Sequence, residues 1–185
     1  MAIDIFDPLK DLQGNKLKGA SWYNNAVSLI TDRSSPAQLM ASGKLLGRPS
    51  AGRMSLFFYD PKFKNRLPYY DTFPLVLPLE TARGGFIGLN FHYLPYGARF
   101  KFLQTLQTYA SNAKFDQSTK IQASYNSIKS NKYTKVAIKR YLYSQVRSNF
   151  LRVNVDEMAL AAYLPVAQFQ GRTLGGVFAA ASKNF

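Results

Sequence analysis

The sequence predicts an α+β fold: a small bent β-sheet or barrel, with N-terminal helices before it and a helical insertion after it. Two observations lead to this prediction. Between residues 56 and 95, aromatic and β-branched runs alternate with prolines and glycines at strand-length intervals, which is typical of strands and turns. The 185 residues, 46% of them hydrophobic, suit a single domain with a sizeable core. We place that domain at residues 19–169.

The N-terminal part is predicted to contain an arm, two short helices and a loop. Residues 1–18 form the arm, whose order would depend on a neighbour. Apolar residues at helical spacing predict a helix over residues 20–30, with Ser21 as its candidate cap, and proline opens a second helix over residues 36–42. Residues 43–52 are rich in glycine and basic side chains but lack the spacing of a phosphate-binding loop, so we interpret them as a linker.

Three central strands are predicted, at residues 53–59, 72–79 and 85–93. Asp60-Pro61 and Gly84-Gly85 supply the turns. Each proline removes a hydrogen-bond donor from a sheet, so the three prolines within residues 67–78 cannot all lie in paired central strands. Part of that segment must therefore be an edge strand or an extended crossing.

The second half of the chain is predicted to hold the helical insertion, two more strands and a tail. Two amphipathic helices are expected within residues 96–130, and residues 136–143 are ambiguous. Strands are expected at residues 150–153 and 160–166. The tail, residues 170–185, is rich in glycine and alanine without a clear period, which indicates a loop or a segment docked on a partner. Predicted core positions are Phe57, Leu75, Leu77, Ile87, Leu89, Phe91, Leu103 and Leu164.

Charge is the strongest functional signal. The chain has a formal net charge of +14, and residues 81–155 contain 12 lysines and arginines against a single acid, Asp116. Such a segment favours a polyanionic partner, with nucleic acid as the first candidate, over a merely solvated basic face. The side chains expected to contact phosphates are Lys129, Lys132, Lys135, Lys139, Arg140, Arg147 and Arg152. Around Arg147, the polar residues 144–148 fit either a phosphate contact or a simple turn.

Catalytic chemistry finds few candidates in the sequence. There is no cysteine, and the only histidine, His92, lies in an aromatic strand where a buried, hydrogen-bonded imidazole is the usual role. Asp60, Asp71 and Glu80 are the carboxylates available to a metal-dependent nuclease, with turn capping as the simpler role for the first two. We therefore predict no enzyme activity, no cofactor and no metal. No apolar run approaches about 18 residues, so no membrane span is expected.

Two aromatic pairs, Phe57-Phe58 and Tyr69-Tyr70, could stack on exposed nucleic-acid bases. Their apolar surroundings favour packing in the core instead.

A set of short segments resembles one family. They are Tyr59-Asp60-Pro61-Lys62, Leu67-Pro68-Tyr69-Tyr70-Asp71, Phe73-Pro74-Leu75-Val76, Gly85-Phe86-Ile87-Gly88-Leu89-Asn90, His92-Tyr93-Leu94-Pro95 and Arg147-Ser148. In this order, across residues 53–166, they resemble the DNA end protector proteins of T4-like bacteriophages. The chain departs from that pattern at residues 156–161, which are richer in alanine.

The resemblance implies a minor virion protein, made in the cytoplasm of the bacterial host, that sits on the end of packaged double-stranded DNA. It would shield that end from exonuclease by binding and not by turnover. The alternative is a structural subunit of the phage neck, tail or baseplate, whose basic face docks on other virion proteins. The arm and the tail suit that second role, because both would need a neighbour in a multi-subunit particle.

Overall fold

The protein has a mixed α+β fold around an open antiparallel sheet. The computed structural model describes residues 18–31, 34–50, 52–110, 134–154 and 157–183, together with Asn126, Ile128 and Ser130. The main sheet has six strands in the order β1-β7-β2-β4-β5-β6, and β3 pairs with β8 in a second, two-stranded sheet. The predicted α+β class is confirmed, and the sheet is not closed into a barrel.

Five α-helices have their bounds within the described residues: α1 Ala20–Ser28, α2 Pro36–Ser42, α3 Tyr96–Ala110, α4 Met158–Tyr163 and α5 Leu174–Ser182. The strands are β1 Leu45–Leu46, β2 Ser55–Leu56, β3 Tyr70–Asp71, β4 Leu75–Ala82, β5 Gly85–Asn90, β6 Ile138–Leu142, β7 Phe150–Arg152 and β8 Phe169–Gln170. Short 3₁₀ turns lie at Lys64–Arg66, Phe91–Tyr93, Lys135–Ala137 and Tyr143–Gln145. In the described part of the chain, no helix combines the length and apolar character that a membrane span requires.

The β4–β5 hairpin shows why glycine and proline stand where they do. Gly84 has a φ of +72°, which an L side chain rarely adopts, so it serves the tight turn. A Cβ at Gly85 would lie 1.8 Å from the Tyr141 carbonyl oxygen, so only glycine lets β5 and β6 approach this closely. The register shifts between Pro78 and Glu80, which makes a bulge at the one proline that does enter a central strand.

Apolar side chains cover both faces of the main sheet. Leu56 and Leu75 pack in the larger core with the helices, whereas their neighbours Phe57 and Val76 point to the other face. There they join what we call the aromatic cluster: Phe57, Tyr59, Val76, Phe86, Tyr141 and Phe150. Seven of the eight predicted core residues are buried; Ile87 is only half-buried, so that prediction is wrong.

The two N-terminal helices are confirmed. Ser35 caps α2: its hydroxyl accepts from the Gln38 backbone N–H at 3.3 Å, and the Gln38 side chain accepts from the Ser35 N–H at 3.2 Å. α1 is capped by Gly19 and not by Ser21, which was the predicted cap. The predicted linker at residues 43–52 contains β1, which pairs with β7.

The C-terminal region is more helical than the sequence predicted. The strand predicted at residues 160–166 is wrong, because the alanine-rich residues there form α4, and alanine is the best helix former. Residues 174–182 form α5 instead of a loop, with Val177 and Ala181 buried against the core.

Some expectations lie wholly or largely outside the described residues. The N-terminal arm is one, and most of the second helix predicted in the insertion is another, although Asn126, Ile128 and Ser130 are helical. The division of the chain into arm, domain and tail remains a prediction.

Candidate nucleic-acid interface

A pocket of about 480 Å³ lies where three parts of the chain meet. They are residues 59–71, the end of β5 with the turn after it, and β6. The pocket is lined by Tyr59, Pro61, Lys62, Phe63, Leu67, Tyr70, Asp71, Asn90, Tyr93, Lys139, Arg140, Tyr141 and Leu142. The lining is mostly aromatic and aliphatic, with three cationic side chains. That composition suits an organic anion.

Asp71, in β3, anchors the buried side of this pocket. One of its carboxylate oxygens accepts from His92 Nδ1 at 2.7 Å and from the Asn90 amide at 3.1 Å. The other accepts from the backbone N–H of Phe73 at 3.0 Å and of Gln168 at 3.3 Å. The carboxylate thus ties the small sheet to the large one. The bond to Phe73 is the turn capping that the sequence predicted.

Protonation in this network follows from burial and from the donors. Burial alone would raise the pKa of Asp71, but His92, Asn90 and the Phe73 N–H together hold it below its usual value. Burial lowers the pKa of His92 despite its carboxylate partner, so the ring is neutral at pH 7. A carboxylate only accepts, so Nδ1 carries the proton. The predicted buried, hydrogen-bonded His92 is confirmed; its Nε2 is buried and without a hydrogen-bond partner among the described residues.

Arg99, on α3, is a buried cation held by backbone carbonyls. Its guanidinium donates to the carbonyl oxygens of Leu94 at 2.7 Å, Ala162 at 2.6 Å and His92 at 3.4 Å, and lies 4.5 Å from the Tyr96 ring centre. Burial lowers the pKa of Arg99 to about 10, so it is charged at neutral pH. It joins α3, α4 and the turn after β5, which gives it a structural role.

Lys139, on β6, is a cation of a different kind. It is half-buried, its ammonium lies 4.3 Å from the Tyr93 ring centre, and burial lowers its pKa. Its ammonium has no ion pair or hydrogen bond with any described residue. Neighbouring Arg140 is exposed and donates to the Arg83 carbonyl oxygen at 2.8 Å, and exposed Lys62 lies 5.5 Å from the Phe63 ring centre. None of these three cations forms an ion pair with a described carboxylate, and the lining carries their three positive charges against the one negative charge of Asp71.

An ion-pair network lies next to this pocket and involves Asp60, which is flanked by the lining residues Tyr59 and Pro61. Asp60 contacts Lys64 Nζ at 2.8 Å and Arg147 at 3.5 Å, and the hydrogen bond from Lys64 is the main reason why the pKa of Asp60 is lowered. Ser148 accepts from the Phe58 backbone N–H at 2.9 Å, and the Arg147 N–H donates to the Phe58 carbonyl oxygen at 2.8 Å. These bonds favour the simpler interpretation of residues 144–148, a polar turn.

Of the seven predicted phosphate contacts, the neighbours Lys139 and Arg140 on β6 both line the pocket. Arg147 is exposed and reaches the same region through Asp60. Lys135 is exposed on the 3₁₀ turn that precedes β6. Lys135 thus lies before the start of β6 and Arg147 beyond its end, so the four residues do not form a single cluster. Their contact with DNA remains a prediction.

The other three predicted contacts are not part of this group. Arg152 is half-buried on β7, and β2, β4 and β5 separate that strand from β6, a distance of roughly 20 Å at normal strand spacing. Lys129 and Lys132 lie outside the described residues.

Sequence reasoning missed the outer wall of the pocket, where Phe63 is 57% and Leu67 43% exposed. Lys62 and Tyr70 were named only within segments of the family resemblance or as a candidate stacking residue. Those segments were the available signal, since residues 59–62 and 67–71 each contribute three side chains or backbone positions to the lining.

The aromatic pairs are now placed as well. Phe57 is fully buried in the aromatic cluster, and the ring centre of Phe58 lies 4.8 Å from that of Phe73. The ring centre of Tyr69 lies 5.8 Å from that of Tyr93, whereas half-buried Tyr70 lines the pocket. Core packing therefore describes three of the four residues.

The three carboxylates considered for a nuclease are dispersed. Asp60 pairs with two cations, Asp71 is buried with His92, and Glu80 is exposed on β4. Within the described ranges, no three His, Asp or Glu side chains come together as metal ligands would.

Comparison with known proteins gives one informative result. The family model described as phage T4 terminal DNA protecting protein matches residues 15–183. Searches of curated proteins and of solved structures found no match. The family match includes every segment that lines the pocket and nearly the whole chain, and we conclude that the chain belongs to the family of phage T4 terminal DNA protecting proteins.

Proposed function

We propose that this protein binds the ends of double-stranded phage DNA in the virion and protects them by occupying them, without chemical turnover. The observation that supports this most directly is the uncompensated positive charge of the pocket on a chain of this family. Phosphates are the counter-charges that a DNA end would bring. Synthesis in the host cytoplasm followed by incorporation as a minor virion component is part of the same proposal.

The distribution of charge fits this function better than a diffuse basic surface would. Lys62, Lys139 and Arg140 line one concave site, and Asp71, the one acid among its described lining residues, already accepts four hydrogen bonds. Phosphate contacts of this kind give affinity without sequence preference, which suits a protein that must bind whatever sequence lies at the terminus.

The test compares blunt-ended linear DNA with a closed circle of the same sequence over a range of salt concentrations. Log affinity should fall with log salt by about 0.9 for each neutralised phosphate. The linear form should bind more tightly, and bound protein should slow an added exonuclease. Salt-steep binding without preference for ends, or no binding at low salt, would contradict end protection.

A double variant, K139Q with R140Q, locates the interface. It should reduce the salt slope by about two units. The matched control, K44Q with R48Q, removes the same charge from exposed residues beside β1, at the opposite edge of the sheet. An equal loss of slope in the control would mean that the whole basic surface binds DNA and the pocket has no special part.

A further inference from the structure

We propose that the pocket receives the terminal nucleotide of the DNA end, with its phosphate against Lys139 and its base against Phe63 and Tyr70. This inference rests on the proposed function and adds a site and a ligand to it. The protein would then recognise an end by holding a nucleotide that has left the duplex.

The size of the pocket favours a single nucleotide. At about 480 Å³ it falls within the range of about 300–1,000 Å³ that small-molecule sites occupy. A DNA duplex is far too wide to enter it. One nucleotide that has separated from its partner strand presents both an anionic and an aromatic part, and the lining offers a contact for each.

Lys139 provides the case for the phosphate. Among the described residues, no carboxylate pairs with this half-buried ammonium, which has lost water and gained the face of Tyr93 in return. Asp71 lines the same pocket and keeps its negative charge, but it forms no ion pair with Lys139, and both of its oxygens already accept hydrogen bonds from its own fold. An external anion would supply the charge that Lys139 lacks. Arg140 and Lys62 line the same pocket.

Phe63 provides the case for the base. It is 57% exposed and stands with Leu67, which is 43% exposed, on the outer wall of the pocket. Two large apolar side chains left in water beside a cationic site mark a contact surface for a ligand with an apolar face. Every base has such a face, so stacking on an aromatic ring holds any sequence.

A terminal nucleotide is the one that such a pocket can take at low cost. An interior nucleotide must break stacking on both sides before it can leave the helix, whereas a terminal one has a single stacked neighbour. A terminal phosphate also carries more negative charge than a bridging one, which strengthens its attraction to Lys139. A protein that binds DNA by holding one nucleotide in this pocket would therefore bind DNA ends more tightly than interior sites.

The experiment measures displacement of a short blunt-ended duplex by three competitors: deoxyadenosine monophosphate, deoxyadenosine and inorganic phosphate. The mononucleotide should act at about tenfold lower concentration than either of its parts, because it alone fills both contacts. Lys139→Gln should reduce the preference for linear over circular DNA about tenfold, the size expected for a charged hydrogen bond. Phe63→Ala should remove the advantage of the nucleotide over phosphate.

Matched controls are Lys44→Gln and Leu29→Ala. They remove an exposed charge and a 71% exposed apolar side chain outside the pocket, and neither should change the preference for ends. If wild-type protein prefers ends but both pocket variants keep that preference, this inference is overturned and end protection stands. Equal weakening of linear and circular DNA by Lys139→Gln also overturns it. A wild-type protein indifferent to ends overturns the proposed function, and this inference with it.

Discussion

Arg99 and Lys139 are both removed from water, but the protein treats them in opposite ways. Arg99 is 1% exposed and donates to three carbonyl oxygens from different parts of the chain. Lys139 has an aromatic face and no acceptor among the described residues. A buried cation with partners builds the fold, whereas one without partners is available to a ligand. Burial alone does not separate the two roles; the hydrogen-bond partners do.

The largest effect should come from Arg99→Met, which keeps most of the volume and removes the donors. Three buried carbonyls would lose their partners, so the free energy of unfolding should fall by about 3–5 kcal/mol. Urea denaturation measures this free energy of unfolding. Arg53→Met, at an exposed position, is the control and should change stability by less than about 0.5 kcal/mol. A small effect of Arg99→Met would show that water replaces the guanidinium and would weaken the contrast with Lys139.

The next effect concerns His92 and pH. Its folded pKa lies below the ordinary 6.5, so below that pH the unfolded chain binds more protons than the folded one. Stability should therefore fall as pH drops from 7 to 5, by at most about 2 kcal/mol from this group. Asp71 loses its contribution only at lower pH, because its folded pKa is below the usual 3.8.

His92→Asn tests this assignment, because an asparagine amide can still donate to Asp71 but does not titrate. The variant should be less stable at every pH, yet its stability should change less than that of the wild type between pH 7 and 5. Thermal melts across that range give the comparison. If the pH dependence of stability is unchanged in the variant, a group other than His92 is responsible for it.

The smallest effect should come from Lys139→Met. The substitution removes the cost of desolvating the ammonium, and it also removes the contact between the ammonium and Tyr93. These two contributions are of similar size, so the free energy of unfolding should change by no more than about 1 kcal/mol in either direction. The same urea measurement applies, with exposed Lys135→Met as control. A loss as large as that of Arg99→Met would make Lys139 structural and remove the argument for an external anion.

The sequence predicted the centre of the sheet well because β4 and β5 are long, largely apolar, and bounded by glycine and proline. It failed at α4, where a short aliphatic run has no period that separates strand from helix. Arg99 carried a signal that was missed: it lies three and four residues before Phe102 and Leu103, which are buried on the same helix face.

The pocket itself was beyond sequence reasoning. Phe63 lies in the connection between β2 and β3, and Lys139 lies on β6, 76 positions later; only the folded chain places both in the lining of one pocket. The charge excess of residues 81–155 indicated the class of partner. It did not indicate which cations would lack a carboxylate, because that depends on the folded neighbours of each one.

The place of β6 in the sheet has a consequence for solubility. Within the described part of the chain it is the last strand, so one row of its backbone donors and acceptors has no strand beside it. Such an edge can recruit a strand from another molecule, and charged side chains on it, lysine above all, discourage this. Lys139 and Arg140 are two of its five residues. Neutralising them removes a safeguard against aggregation as well as a phosphate contact, so light scattering belongs beside every binding measurement on those variants.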